Sequence, residues 1–468
     1  MTRDCRHLPG RGPFVERRSD CAGPERAGHR GAAGPASRSD GRHAPPSERG
    51  AALLMALTIV ALLTALTVDL AYQRRVSLQI AVNARDELRA TSLARSAVNL
   101  SRLVLHFQRE LDRAAGGVGQ AFSQATGGKM PALQLSIRLW EIVPIDSSAA
   151  SLFAAAAAPA EAPPRPSPQA PASGPDSLFA GAAPRVFGDY QGSFRARIED
   201  EDHKVNVPQF ANTAPLAGPQ LLRFMQLVKD PAYDVLFDRE DQNGNRWTRP
   251  DVAAALRDWV DENETTTAVG ANPAAPFEEG FGDENFPYDR GENRYRAKNA
   301  RFDSLDELFL VGGIGDPFMA AFGDNMTVYP SVNAKTNINT SNPAEMMLNI
   351  LAMSDPPGVP QPPLLDPTFP QRLDAALRLA RPVPFLAVTV SQFAQILAGL
   401  GLRIQPLYLQ AQDTDARNSF GSRSSTFTIR ATGQSGSVEK AVTAVVTFDE
   451  RAGPLAADLG RLIHWRED

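Results

Sequence analysis

Cysteine is nearly missing: of 468 residues only Cys5 and Cys21 carry a thiol, and both fall in the first fifty. A chain shortened past that stretch holds no thiol, which excludes a disulfide framework and any cysteine-ligated metal from the remainder. Catalytic signatures are missing as well. There is no G-x-S-x-G, no P-loop and no H-E-x-x-H, and "GGIGDP" at 312–317 is too short a glycine cluster for a nucleotide site. Three of the six histidines sit in residues 1–50, leaving His106, His203 and His464 far apart in sequence and suited to surface or structural roles. No enzyme is expected. Charge is absent from Ala51 to Val68, and neither Gly nor Pro occurs between Ala51 and Ala115.

The last two absences predict a helix. Coiled as one, the uncharged run spans roughly 27 Å, close to the ~30 Å hydrocarbon core of a bilayer. A cleavable secretion signal has an apolar region of only about 7–15 residues followed by a small-residue cleavage site. This run is longer, and nothing behind it stops the helix. Beyond Tyr72 the pattern turns amphipathic, with Val76, Ile80, Asn83, Glu87, Ala90 and Ala94 set against Arg75, Arg85, Asp86 and Arg89. One continuous helix over 51–115 is expected, membrane-spanning over 51–70. A plain signal anchor is the alternative.

A chain of this length suggests two or three domains. Residues 1–50 hold ten Arg against six Asp and Glu, so the net charge of -5 for the whole chain leaves -9 for residues 51–468. That first segment is rich in Gly, Pro and Arg without apolar periodicity, and reads as disordered. The Ala-, Pro- and Ser-rich residues 146–185 read as a flexible loop, and "SDPPGVPQPPLLDPTFP" (354–370) as a connector between helical pieces. Period-two alternation predicts strands in "LQLSIRLWEIV" (from Leu133), "GSFRARIEDE", "STFTIRATG" and "EKAVTAVVTFDE". Four such strands suit an antiparallel sheet with one face covered, and the amphipathic part of the long helix is the obvious cover. Between the strand pairs, residues 208–402 carry caps and three-four apolar spacing and read as an inserted helical domain. The N-terminal signals there include Ser304 and Ser341.

Read in order, a leader ending in Gly50, the apolar helix, "RIEDEDHKVNV", "LRDWVDEN", an acidic loop, "NRYRAKNARFDSLDELFLVGGI", "VYPSVNAKTNINTSNPAEMM" and a closing hairpin closely resemble the large K-type minor pseudopilins of the type II (general) secretion pathway. The resemblance covers about residues 49 to 450. It implies an α+β fold: a pilin-like long N-terminal helix packed on an antiparallel sheet, with a large inserted all-helical (SAM-like) domain. The implied organisation is a leader over 1–50, strands over 116–207, the insertion over 208–402 and the last strands over 403–468. It also implies cleavage by a prepilin peptidase between Gly50 and Ala51, methylation of the new terminus, and a single-pass inner-membrane location with the remainder periplasmic. The implied place is the pseudopilus tip, alongside minor pseudopilins I and J, then H and the major pseudopilin, with no nucleic acid. Pilin-like subunits carry Glu at the fifth mature position; here it is Met55, as K pseudopilins lead one to expect. Assembly would use Met55 and the face through Val76, Ile80 and Asn83. The long leader and the expanded Ala/Pro/Ser segment depart from the family pattern.

Residues 258–307 hold thirteen acidic against five basic side chains. Carboxylates crowded on a loop repel one another unless a cation neutralises them, and Ca²⁺ accepts six to eight oxygens in flexible geometry. A solvated acidic surface is the other reading of the same residues, and the resemblance, whose members carry structural Ca²⁺, favours calcium. Asp258, Asp261, Asn263, Asp283 and Glu284 are the candidate ligands because they bracket the densest negative charge. "DREDQNGNRW" imitates part of a calcium loop through Asp241, Asn243 and Gly244 but has Arg239 and Pro250 at the first and last EF-hand positions, so a turn is expected. "NINTSNPAEMM" with "LVGGIG" raises a helix-hairpin-helix DNA-binding alternative. The order of the two elements is reversed, no basic hairpin follows and the domain is acidic. A signal-anchored periplasmic protein of another kind is a further alternative. Asn337 to Thr340 are expected to cap and join helices, and Trp259 to sit in the core.

Overall fold

The computed structural model describes residues 48–125, 138–147, 192–237, 240–241, 244–272, 275–290, 294–381, 387–410, 417–449 and 459–468. The leader up to residue 47, the Ala/Pro/Ser segment from 148 to 191 and the first part of the strand expected at Leu133 lie outside them. The chain divides into two units, Met1–Arg74 and Arg75–Asp468.

In the first unit, residues from Ala52 to Arg74 are helical and exposed throughout. They belong to α1 (Glu48–Ala125), the one helix among the described residues long and apolar enough to cross a membrane. Gly50 and Ala51 lie in its first turn, and Met55 is exposed. The helix runs beyond the expected residue 115 and takes Gly116 and Gly117 in stride.

The second unit is built on a five-stranded antiparallel sheet of order β1-β2-β9-β10-β11. Its members are β1 (Ile145–Asp146), β2 (Ser193–Asp200), β9 (Thr426–Ser435), β10 (Val438–Thr447) and β11 (Arg461–Glu467). The alternation read in the sequence sets which face is covered: Phe194, Phe427, Ile429, Ala431, Val442, Ala444 and Val446 are buried with Leu93, Ala94, Ala97, Val98 and Leu105 of α1. The covering face of the helix therefore begins near Asp86 and Ala90, not at Val76. Val76, Ile80, Asn83 and Glu87 are exposed in this chain. Small residues allow the closest approach. A Cβ on Gly433 would collide with the carbonyl of Ala90 and the amide of Ala94. One strand reading needs correction, and one strand was not read at all. Residues Leu139–Ile142 form a single helical turn, α2, where a strand was expected; Val143 N–H closes it on the carbonyl of Leu139 at 2.9 Å, and Arg138 meets Glu141 across it at 2.8 Å. The closing β11, "RLIHWRE", alternates too weakly to stand out and pairs with β10 across a bulge at Val445/Val446.

Between β2 and β9 the chain is mainly helical: α3 (Ala214–Leu227), α4 (Arg249–Asp258), α5 (Asp316–Phe322), α6 (Pro343–Met353), α7 (Phe369–Ala380), α8 (Val390–Gly399) and α9 (Pro406–Leu409). Short two-residue pairings join β3 (Val205–Asn206) to β6 (Met326–Thr327) and β7 (Thr336–Asn337) to β8 (Phe420–Gly421). The "all-helical" expectation needs one amendment. Residues read as acidic loop form a hairpin of β4 (Thr265–Asn272) and β5 (Ala275–Asp283). Threonines and Val269 favour the extended chain, and Phe277 packs against the helical core. Two apolar clusters organise the insertion, one around Phe210, Phe224, Trp259 and Phe318, the other around Ile338, Phe369, Phe393 and Phe420.

Candidate functional site

Helix α4 opens on a reciprocal capping box between Thr248 and Asp251, with Pro250 in its first turn, and buries Val252, Ala253 and Leu256. That seating fixes where its C-terminus delivers acid groups. Asp258 ends the helix, Asp261 follows one turn on, and Glu284 comes directly after β5. One carboxylate oxygen from each lies within 4.8 Å of the others, and all three residues are buried. The amide of Thr267 donates to both oxygens of Asp258, at 3.0 and 3.2 Å, so the hairpin is pinned to the helix end. Glu284 N–H closes the base of the hairpin on the carbonyl of Glu264 at 3.3 Å.

The cluster is only partly compensated. Oδ1 of Asp261 has no hydrogen-bond partner, and the Glu284 oxygens and Oδ1 of Asn299 make no well-formed bond, although the Asn299 side chain lies close enough to Glu284 to ease its charge in part. Burial raises all three acids. It acts alone against hydrogen bonds at Asp258, and together with the Asp258 charge it pushes Asp261 to about 6. Glu284 is pushed to about 7 by burial first and by the charges of Asp258, Asp261 and Asp283. Arg257 stands 3.5 Å from Asp261 Oδ2, but its guanidinium also donates to the Phe210 carbonyl and stacks on Phe277. An all-oxygen pocket of this charge fits a hard divalent cation.

Of the five predicted ligands, the fold brings Asp258, Asp261 and Glu284 together and leaves two aside. Asn263 spends its carbonyl oxygen on Thr265 N at 2.8 Å and turns its amide N–H toward Asp261. Asp283 is exposed and accepts from Asn285 N at 2.8 Å. Asn299 was missed. It sits at φ 48°, in the left-handed region that Asn tolerates, and no local pattern in "RAKNARF" marks it. Asp241 spends both carboxylate oxygens locally: Oδ1 accepts from Asn245 N and Oδ2 from Trp247 Nε1.

A second polar cluster joins the motifs "RIEDEDHKVNV" and "NINTSNPAEMM". His203 places Nε2 at 3.2 Å from Glu345 Oε1 and Nδ1 at 3.7 Å from Asp200 Oδ2. Glu345 also accepts from Thr340 Oγ1 at 2.6 Å, and Asp200 from Asn337 Nδ2 at 3.1 Å. Asn339 bridges to the carbonyls of Val388 and Ser422. Asn337 to Thr340 are thus buried cross-links between segments, and the cap of α6 is Asn342, which accepts from Ala344 N, in place of Ser341. Gly312 and Gly313 pack against Trp247, and Trp259 is buried with Nε1 donating to Glu307 at 3.0 Å. His106 and His464 neighbour Phe107 and Tyr329, respectively.

No protein-family model matches the chain, and no curated protein does. Among solved structures, a chain of the crystal structure of the GspK-GspI-GspJ complex from the enterotoxigenic Escherichia coli Type 2 Secretion System is similar, with 16% sequence identity and a TM-score of 0.36, covering 59% of this chain and 80% of that one.

Proposed function

We propose that the chain is a minor pseudopilin that starts or caps the type II secretion pseudopilus from the inner membrane, in support of export of folded periplasmic proteins. One observation carries this reading. Helix α1 holds both a charge-free run beginning directly after Gly50 and, from Ala90 onward, the face that closes an antiparallel sheet. A removable signal has no reason to share a helix with the core of the domain behind it. The order of the sequence motifs supports the same assignment.

In this reading a prepilin peptidase cuts between Gly50 and Ala51, Ala51 is methylated, and the remainder lies in the periplasm. The exposed Val76, Ile80 and Asn83 offer a free helix face to minor pseudopilins I and J, with H and the major pseudopilin below. Met55 in place of the usual Glu suits a subunit with no neighbour above it, since an unpaired carboxylate in a membrane costs about 3 kcal/mol. Asp258, Asp261, Glu284 and Asn299 hold a structural Ca²⁺, whose charge would neutralise the three buried acids and lock α4 to the hairpin.

Mass spectrometry of the membrane-bound chain from cells with an active peptidase tests the assignment. A mature terminus at methylated Ala51 is expected, and Gly50→Leu should accumulate full-length chain, because glycine lets the peptidase approach the backbone. A terminus beyond Val68 would refute the pilin reading.

A further inference from the structure

Phe281 is 107% exposed, more than an isolated residue in an extended chain. Its exposure is built. Along β5, Phe277 packs against the core, and in a regular strand Phe281, four residues on, would share that face. The ladder instead slips: Glu279 pairs with Thr267 and Asp283 with Thr265, so the three residues Gly280 to Gly282 stand opposite Thr266 alone. Both glycines press on that threonine. A Cβ on Gly280 would meet Thr266 Oγ1 at 2.7 Å and one on Gly282 would meet it at 3.0 Å, while Gly282 N–H donates to the same Oγ1 at 3.1 Å. Bulges of this kind re-aim side chains. Here the bulge is pinned from below and carries the phenylalanine at its crest.

The surroundings are of one sign. Glu262, Glu264, Glu278, Glu279 and Asp283 are exposed on the hairpin and its approach, and no Lys or Arg occurs between Arg257 and Arg290. We infer that this knob docks into a folded protein partner presenting an apolar socket rimmed by Lys and Arg. A preset aromatic anchor buries about 150–250 Å² at little entropic cost, and the acids steer a basic rim toward it. The charge disfavours an anionic bilayer as the occupant, since such a surface attracts basic segments and repels acidic ones.

The test uses the full chain in cells that secrete through it, with a photoreactive phenylalanine analogue at position 281. The expected adduct is to one protein through a peptide containing Lys or Arg, and its yield falls at least fivefold when Glu262→Lys and Glu278→Lys are combined. Phe281→Ala should cut secretion about tenfold, with Phe281→Leu retaining most of it, while processing and fibre assembly stay normal. Secretion is used as a readout because the proposal rests on the pseudopilin reading. A chain not processed at Gly50 refutes that reading, whereas a processed, assembling chain with undiminished secretion by Phe281→Ala refutes the docking alone. An adduct to lipid, or a protein adduct indifferent to the charge reversals, also overturns it.

Discussion

His203 Nε2 stands 3.2 Å from Glu345 Oε1, joining the residues just after β2 to the first turn of α6. With Asp200 on its other nitrogen, the imidazole has a carboxylate at each end and is held as a cation. Burial opposes that charge most strongly, and the hydrogen bonds and charges of Asp200 and Glu345 overcome it, raising His203 to about 10. Arg223, fully buried on α3 and donating to the Lys204 carbonyl, supports the same junction.

A pH dependence follows from that shift. The folded-state value lies above the unfolded one near 6.5, so the stabilisation is complete below pH 6.5 and fades as pH rises through about 10. His203→Ala strands two buried carboxylates and should cost about 3 kcal/mol at pH 7. Urea melts at pH 6, 8 and 10 check both statements: the gap between wild type and variant should narrow toward pH 10. A gap that does not change with pH would reject the imidazolium junction.

Calcium should act on stability by mass action. At one hundred times its dissociation constant it adds about 2.7 kcal/mol if it binds only the folded chain. Asp261→Asn combined with Glu284→Gln should remove that response. In chelator the same variant should melt no lower than wild type, because the raised values of both acids mean that their neutral forms suit the site. Calorimetry with and without calcium reads both effects. Wild-type melting indifferent to excess chelator would dismiss the metal site.

At Gly433 the backbones of α1 and the sheet approach too closely for a Cβ between them. Gly433→Val should destabilise the chain by about 3 kcal/mol, since the added carbons meet helix backbone at Ala90 and Ala94, which cannot swing aside. A proteolysis midpoint close to wild type would show that the helix and sheet separate more easily than their packing indicates.

Copy number checks the proposed place at the fibre tip. In the proposed role the bulk of the insertion between β2 and β9 would not repeat along a tightly wound fibre, so purified tip complexes should contain one copy of this chain beside the smaller pseudopilins. Label spaced along the fibre would contradict that.

Local periodicity made much of this architecture readable. The uncharged run fixed a helix, alternation in "GSFRARIEDE", "STFTIRATG" and "EKAVTAVVTFDE" fixed β2, β9 and β10, and capped three-four patterns fixed most helices of the insertion, because each of these depends on neighbours within a turn or a ladder rung. The acidic character of 258–307 was legible too, and with it Asp258, Asp261 and Glu284 as candidates. Only the tertiary structure shows that Asp258, Asp261 and Glu284 converge, that the Asn263 carbonyl oxygen and Asp283 accept from nearby backbone amides, and that Asn299 lies beside Glu284, because this convergence joins segments remote in sequence. The same holds for the beginning of the buried helix face at Ala90, for the His203–Glu345 junction between residues remote in sequence, and for Phe281. Its face was decided by a bulge, which inserts residues into the ladder and so cancels the period-two rule from which a strand is read.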